Sequence, residues 1–86
     1  MIKTDVTIRN EKGLHARPAT FFIQKANTFK SSVWVENGTR KANAKSLLGV
    51  LSLAVSKGDV ITLIAEGADE AEAVAGLAQL IAELED

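Results

Sequence analysis

The sequence predicts an α+β domain in two layers, with three helices laid on one face of a four-stranded antiparallel sheet. Three observations carry that expectation. Apolar residues recur alternately with strand and helix spacing, in the order βαββαβα. An Asn37-Gly38 pair sits between the second and third strand segments, where a hairpin needs its turn. One segment, 60–65, is almost continuously apolar, while its neighbour 39–44 is polar, and this contrast decides which lies inside the sheet.

The first strand, 2–8, alternates: Ile2, Thr4, Val6 and Ile8 on one side, Lys3, Asp5 and Thr7 on the other. A loop from Asn10 to Gly13 leads into a helix over 15–27. Its stripe is Ala19, Phe22, Ile23 and Ala26, and Phe29 closes the core behind it. In the second strand Val33 and Val35 face one way and Trp34 the other. The hairpin is read as a type I′ turn at Asn37-Gly38, with the third strand at 39–44. Ser46 caps a helix over 47–54, in which Val50, Leu53 and Ala54 share the buried arc. Gly58 ends the next loop, 60–65 is the fourth strand, and Gly67 terminates it. Asp69 caps the last helix with Glu72 in capping-box position, and Val74, Leu77, Ile81 and Leu84 form its buried stripe.

Two strand orders fit this string. The order 4-1-3-2 would place 39–44 in the centre, where its Arg40 and Lys41 are unsuited. The order 1-4-2-3 puts the apolar segment 60–65 in the centre and the polar one at a protected edge. The second is chosen, leaving one sheet face open with Trp34 on it.

Composition narrows the function. The 86 residues make one small domain, 1–86, without room for a deep substrate cavity. A net charge of −1 recruits neither nucleic acid nor an anionic membrane. There is no cysteine and one histidine, so no disulfide framework and no metal site are expected. No apolar run approaches the length of a membrane span and no signal segment is visible, so a soluble cytoplasmic chain is expected.

The chemistry concentrates in Gly13-Leu14-His15-Ala16-Arg17-Pro18-Ala19. The only histidine and the only proline lie three residues apart at the start of a helix. Pro18 falls in the first turn, where a missing N–H costs nothing. Free backbone N–H groups and the positive end of the helix dipole make that end an anion site. The same field favours a neutral imidazole, the form in which a nitrogen can attack phosphorus. Arg17 adds a permanent charge whose planar fork matches phosphate oxygens. The backbone N–H groups of Ala16 and Arg17 are the expected donors to a phosphoryl group. No paired carboxylates, Gly-rich phosphate loop or Mg²⁺ cluster accompanies them, which suits a carrier rather than an enzyme acting on a small molecule.

This heptapeptide, together with Lys45-Ser46-Leu47 and Gly67-Ala68-Asp69-Glu70, closely resembles the histidine-containing phosphocarrier protein family, HPr, of the bacterial sugar phosphotransferase system. The resemblance covers essentially the whole chain. It implies an open-faced β-sandwich of order 1-4-2-3 and a phosphoryl group carried on Nδ1 of His15. Enzyme I is the implied donor, enzyme IIA domains the implied acceptors, and no cofactor is implied. Lys12 departs from the small polar residue usual there and places a second positive charge by the site. Too many residues of 47–54 are apolar for one buried face, so Leu47, Leu48 and Leu51 are assigned to a docking patch flanked by Arg17, Thr20 and Gln24. The resemblance also makes Ser46 a regulatory phosphorylation site, with a serine kinase/phosphorylase and a catabolite-control regulator as further partners. A monomer is expected. Two alternatives remain open: a paralogue of a nitrogen-related or catabolite-control branch, and a small sheet-surface module binding RNA or peptide. The second would want more aromatics than Trp34 on the open face, and a basic stripe beside them.

Overall fold

The computed structural model describes residues 1–85. Its elements are β1 (Ile2–Thr7), α1 (Ala16–Ala26), β2 (Ser32–Asn37), β3 (Arg40–Asn43), α2 (Leu47–Ser52), β4 (Val60–Glu66) and α3 (Glu70–Ala82). All strands are antiparallel in the order β1-β4-β2-β3, as the contrast between 60–65 and 39–44 requires. β4 is central, and its Ile61, Leu63 and Ala65 are fully buried towards the helices. Phe22 of α1, Val50 of α2 and Leu77 of α3 meet them there with no exposed surface.

Several local expectations give way to long-range partners. The hairpin register pairs Asn37 with Arg40, so the connecting residues are Gly38 and Thr39, not Asn37 and Gly38. Only Gly38 has positive φ, at the first connecting position, which is the pattern of a type II′ turn. Asn37 stays in the strand because its amide donates to Leu53 O at 3.1 Å and to Asp59 Oδ2 at 3.3 Å. α2 is shorter than expected. It ends at Ser52, and Ala54, assigned to the buried arc, is exposed with φ +50. Ala54 therefore occupies the left-handed position past a helix end that glycine usually takes.

Asp69 begins α3, yet its side chain makes no cap bond, and no capping box forms with Glu72. Its carboxylate instead accepts from the backbone N–H groups of Lys30 and Ser31, both at 2.9 Å, and from the Ser31 hydroxyl. Glu70 accepts from Gly67 N–H at 3.2 Å and pairs with the N-terminal ammonium at 3.0 Å. Those two bonds hold its carboxyl below the ordinary glutamate range. Ser46, by contrast, caps α2 as expected, its Oγ accepting from Gly49 N–H at 3.1 Å.

The open face of the sheet is less open than its sequence implies. Ile64 points there and is buried, flanked in register by Lys3 and Trp34. Trp34 is half-buried rather than exposed, with the Lys41 ammonium 5.2 Å from its ring centre. Phe29 is half-buried against the core, and so is Leu84, which lies beyond the end of α3.

The Ser31 hydroxyl, then the Lys30 and Ser31 N–H groups, hold the Asp69 carboxyl down at about 2 from its usual 3.8. A depressed folded-state value stabilises the fold in full above the unfolded value and loses that contribution as pH falls from 3.8 through about 2. The gap in urea midpoint between the parent and Asp69→Asn is expected to narrow over that window. A gap unchanged from pH 6 to pH 2 would contradict the assignment.

Candidate functional site

His15 is the residue immediately before α1, in extended backbone (φ −80, ψ −173). It is the N-cap residue, but its side chain makes no cap hydrogen bond, so the imidazole is not spent on holding the helix. Its carbonyl accepts from Ala19 N–H at 2.9 Å, which closes the first turn. The N–H groups of Ala16 and Arg17 have no preceding turn to bond to. No loop carbonyl among the described residues accepts from them either. Pro18 is the third helical residue, buried, and removes one orphan donor without loss.

The approach to this helix end is stitched to the segment that follows α2. Ile8 N–H donates to Asp59 O at 2.9 Å, Gly58 N–H to Ile8 O at 2.8 Å, and Leu14 N–H to Val55 O at 3.1 Å. Within the loop, Asn10 Nδ2 donates to Gly13 O at 2.9 Å and Gly13 N–H to Asn10 O at 3.2 Å. Gly13 has φ +61, and a Cβ there would lie 2.2 Å from Val55 O. Leu14 turns inwards and is buried, so His15, the next residue, is turned out and exposed.

Together, Lys12, His15 and Arg17 line one cavity of about 470 Å³ with Pro18 and Phe21. Its remaining wall is Glu83, Leu84 and Glu85, from the end of α3 and the residues after it. The sequence reading anticipated the first group and missed Phe21 and the acidic wall. Phe21 lies off the buried stripe and is 47% exposed, a sign that it serves a surface. Nothing local in the sequence signals that 83–85 return to His15, because that depends on α3 packing against α1.

The docking residues fall into separate places. Leu48 is 80% exposed and Leu47 39%, which leaves an apolar patch on α2. Leu51 is half-buried and packs against the core, so its assignment to the exposed patch is corrected. The short α2 turns it under the patch. Thr20 is half-buried and its hydroxyl donates to Ala16 O at 2.8 Å. Gln24 is exposed and lines a groove between α1 and α3 with Phe21, Thr28 and Leu80. Ser46 is half-buried beneath Gly49, where a Cβ would come within 3.3 Å of its Oγ. No group of three or more His, Cys, Asp or Glu residues able to hold a metal occurs among the described residues. No helix among them is long and apolar enough to cross a membrane.

Comparison with known proteins gives the family. The family model described as "PTS HPr component phosphorylation site" matches residues 2–83. The chain is 49% identical to the HPr-like protein Crh of Bacillus subtilis over 83 residues, covering 96% of this chain and 98% of that one. It is 48% identical to the phosphocarrier protein HPr of Neisseria meningitidis serogroup A over 81 residues, covering 94% and 91%. The solved HPr of Thermoanaerobacter tengcongensis superposes with a TM-score of 0.92 at 50% identity, covering 95% and 92%. The structure of Bacillus subtilis Crh, described as a dimer with a swapped domain, gives a TM-score of 0.77 at 49% identity, covering 96% and 95%. The chain belongs to the HPr family of the phosphotransferase system, which includes the phosphocarrier protein HPr and the HPr-like protein Crh.

The burial of the leucines predicts a split. Leu48→Asp is expected to leave thermal unfolding within about 0.5 kcal/mol of the parent. Leu51→Asp, which forces a carboxylate against the core, should cost about 2 kcal/mol or more. Equal melting temperatures for the two variants would remove the distinction.

Proposed function

We propose that this chain carries a phosphoryl group on His15, taking it from phosphorylated enzyme I and passing it to enzyme IIA domains in cytoplasmic sugar uptake. The observation that carries the reading is the convergence at one helix end. An exposed imidazole with no capping duty shares a cavity with Arg17, at a helix end where the N–H groups of Ala16 and Arg17 find no backbone acceptor among the described residues. In transfer, the lone pair of a His15 ring nitrogen forms the new P–N bond. The bond from phosphorus to the donor's leaving atom breaks, and its electron pair stays on the donor. The His15 ring keeps the hydrogen on its other nitrogen, so the exchange balances. Such a step needs positioning and charge neutralisation more than further catalytic groups. The N–H groups and the Arg17 guanidinium supply both. Leu47 and Leu48 offer partners an apolar contact on α2.

Regulation at Ser46 belongs to the same reading. A phosphoryl group there would add about −1.5 to −2 charges at the start of α2, beside the Leu47 and Leu48 patch. Acidic partner surfaces would be repelled, while the fold would keep its cap. The likeness to Crh favours a catabolite-control role as a second reading, and also a dimer in place of the expected monomer. His15 itself argues for transfer rather than for control alone.

Incubation with phosphoenolpyruvate and enzyme I, followed by intact mass at alkaline pH, tests the reading. The parent should gain one acid-labile phosphoryl group. His15→Ala should gain none while keeping its melting temperature, since the ring is exposed and makes no cap bond. An acid-labile phosphoryl group on His15→Ala would overturn the assignment.

A further inference from the structure

The end of α3 breaks the usual charge rule for helices. A helix C-terminus carries partial negative charge and is stabilised by cations. α3 has acidic residues in its first turn, where they help, but no basic residue in its last turn. It closes instead on Glu83, its C-cap, with Glu85 two residues further on. Both carboxylates are exposed, and neither is held by a salt bridge among the described residues. Both line the same cavity as His15, Lys12 and Arg17.

We propose, resting on the phosphocarrier reading, that Glu83 and Glu85 set the transfer potential of the phosphoryl group on His15. Neither touches the reacting atoms; both act through the field across the cavity. In the resting carrier they offset the Lys12 and Arg17 cations and the positive end of α1. Phosphorylation brings about two further negative charges into the same space. The two carboxylates and the negative end of α3 then oppose the new charge, while Arg17 and the helix N–H groups hold it. The phosphoryl group is bound firmly enough to be carried and poorly enough to be passed on. A relay protein needs that balance, whereas a storage site would need cations alone.

A cavity of about 470 Å³ is about 10 Å across, so screening decides the size of the effect. One carboxylate opposing a doubly charged phosphoryl group at that distance changes its stability about threefold at 0.01 M salt, and hardly at 1 M.

The experiment is a direct competition for phosphoryl groups. ¹⁵N-labelled parent and unlabelled Glu83→Gln/Glu85→Gln are mixed with a trace of enzyme I and limiting phosphoenolpyruvate at alkaline pH. The phosphoryl partition is then read by intact mass. Because both carriers share one donor, the donor's own equilibrium drops out. The double variant should hold the phosphoryl group about tenfold more strongly at 0.01 M salt, and the preference should vanish at 1 M. Each single variant should show about threefold, and Glu72→Gln, in the first turn of α3, should partition evenly. An even partition of the double variant at low salt, or a preference for the parent, overturns this inference and leaves the carrier reading standing. A parent that takes no phosphoryl group overturns both.

Discussion

The close approach of Gly13 to Val55 governs where His15 and the start of α1 stand. With φ +61 and a Cβ position only 2.2 Å from Val55 O, the site admits no side chain without displacement. That approach lets Leu14 N–H reach Val55 O and brings the loop after β1 against the segment between α2 and β4. Leu14 is then committed to the core and His15 to the surface. The start of α1 is consequently fixed against two other parts of the fold. A helix end held this way presents its free N–H groups in one direction, which is what preorganised binding of an anion requires.

The layers and the sheet order were legible because they follow from apolar patterning. The stretch 60–65 has no polar side to show to solvent, so it must be central, and Arg40 and Lys41 mark an edge. The heptapeptide around His15 was legible because its residue types have few other reasons to occur together at a helix start. What escaped was set by partners far along the chain. Asp69 looks like the cap of α3, but two N–H groups and a hydroxyl near Ser31 compete for its carboxylate and win. Asn37 looks like a turn residue, but Leu53 O and Asp59 hold its amide in the strand. Ala54 fits the apolar pattern of α2, yet the helix stops short of it, and its small side chain makes exposure inexpensive. The acidic wall of the cavity is invisible to any local rule, since Glu83 and Glu85 lie far from His15 in sequence.

The cavity beside His15 is lined by few chemically active groups, which suits the proposed carrier, whose partners would complete the site. In the proposed relay one helix end would supply nucleophile, charge and backbone donors, while the exposed leucines of α2 would offer a partner something apolar to hold. The exposed leucines lie on α2 and His15 at the start of α1. Ser46 stands at the start of α2, beside that apolar patch, while its hydroxyl serves the helix as a cap. A modification there can alter recognition without touching the groups around His15.

The central claim is that a phosphoryl group on His15 is received by the backbone at the start of α1. Amide ¹H–¹⁵N spectra recorded before and after phosphorylation test it most directly. The account predicts the largest shifts at Ala16 and Arg17, with the sheet amides unmoved. Large shifts elsewhere, with Ala16 and Arg17 unchanged, would contradict it.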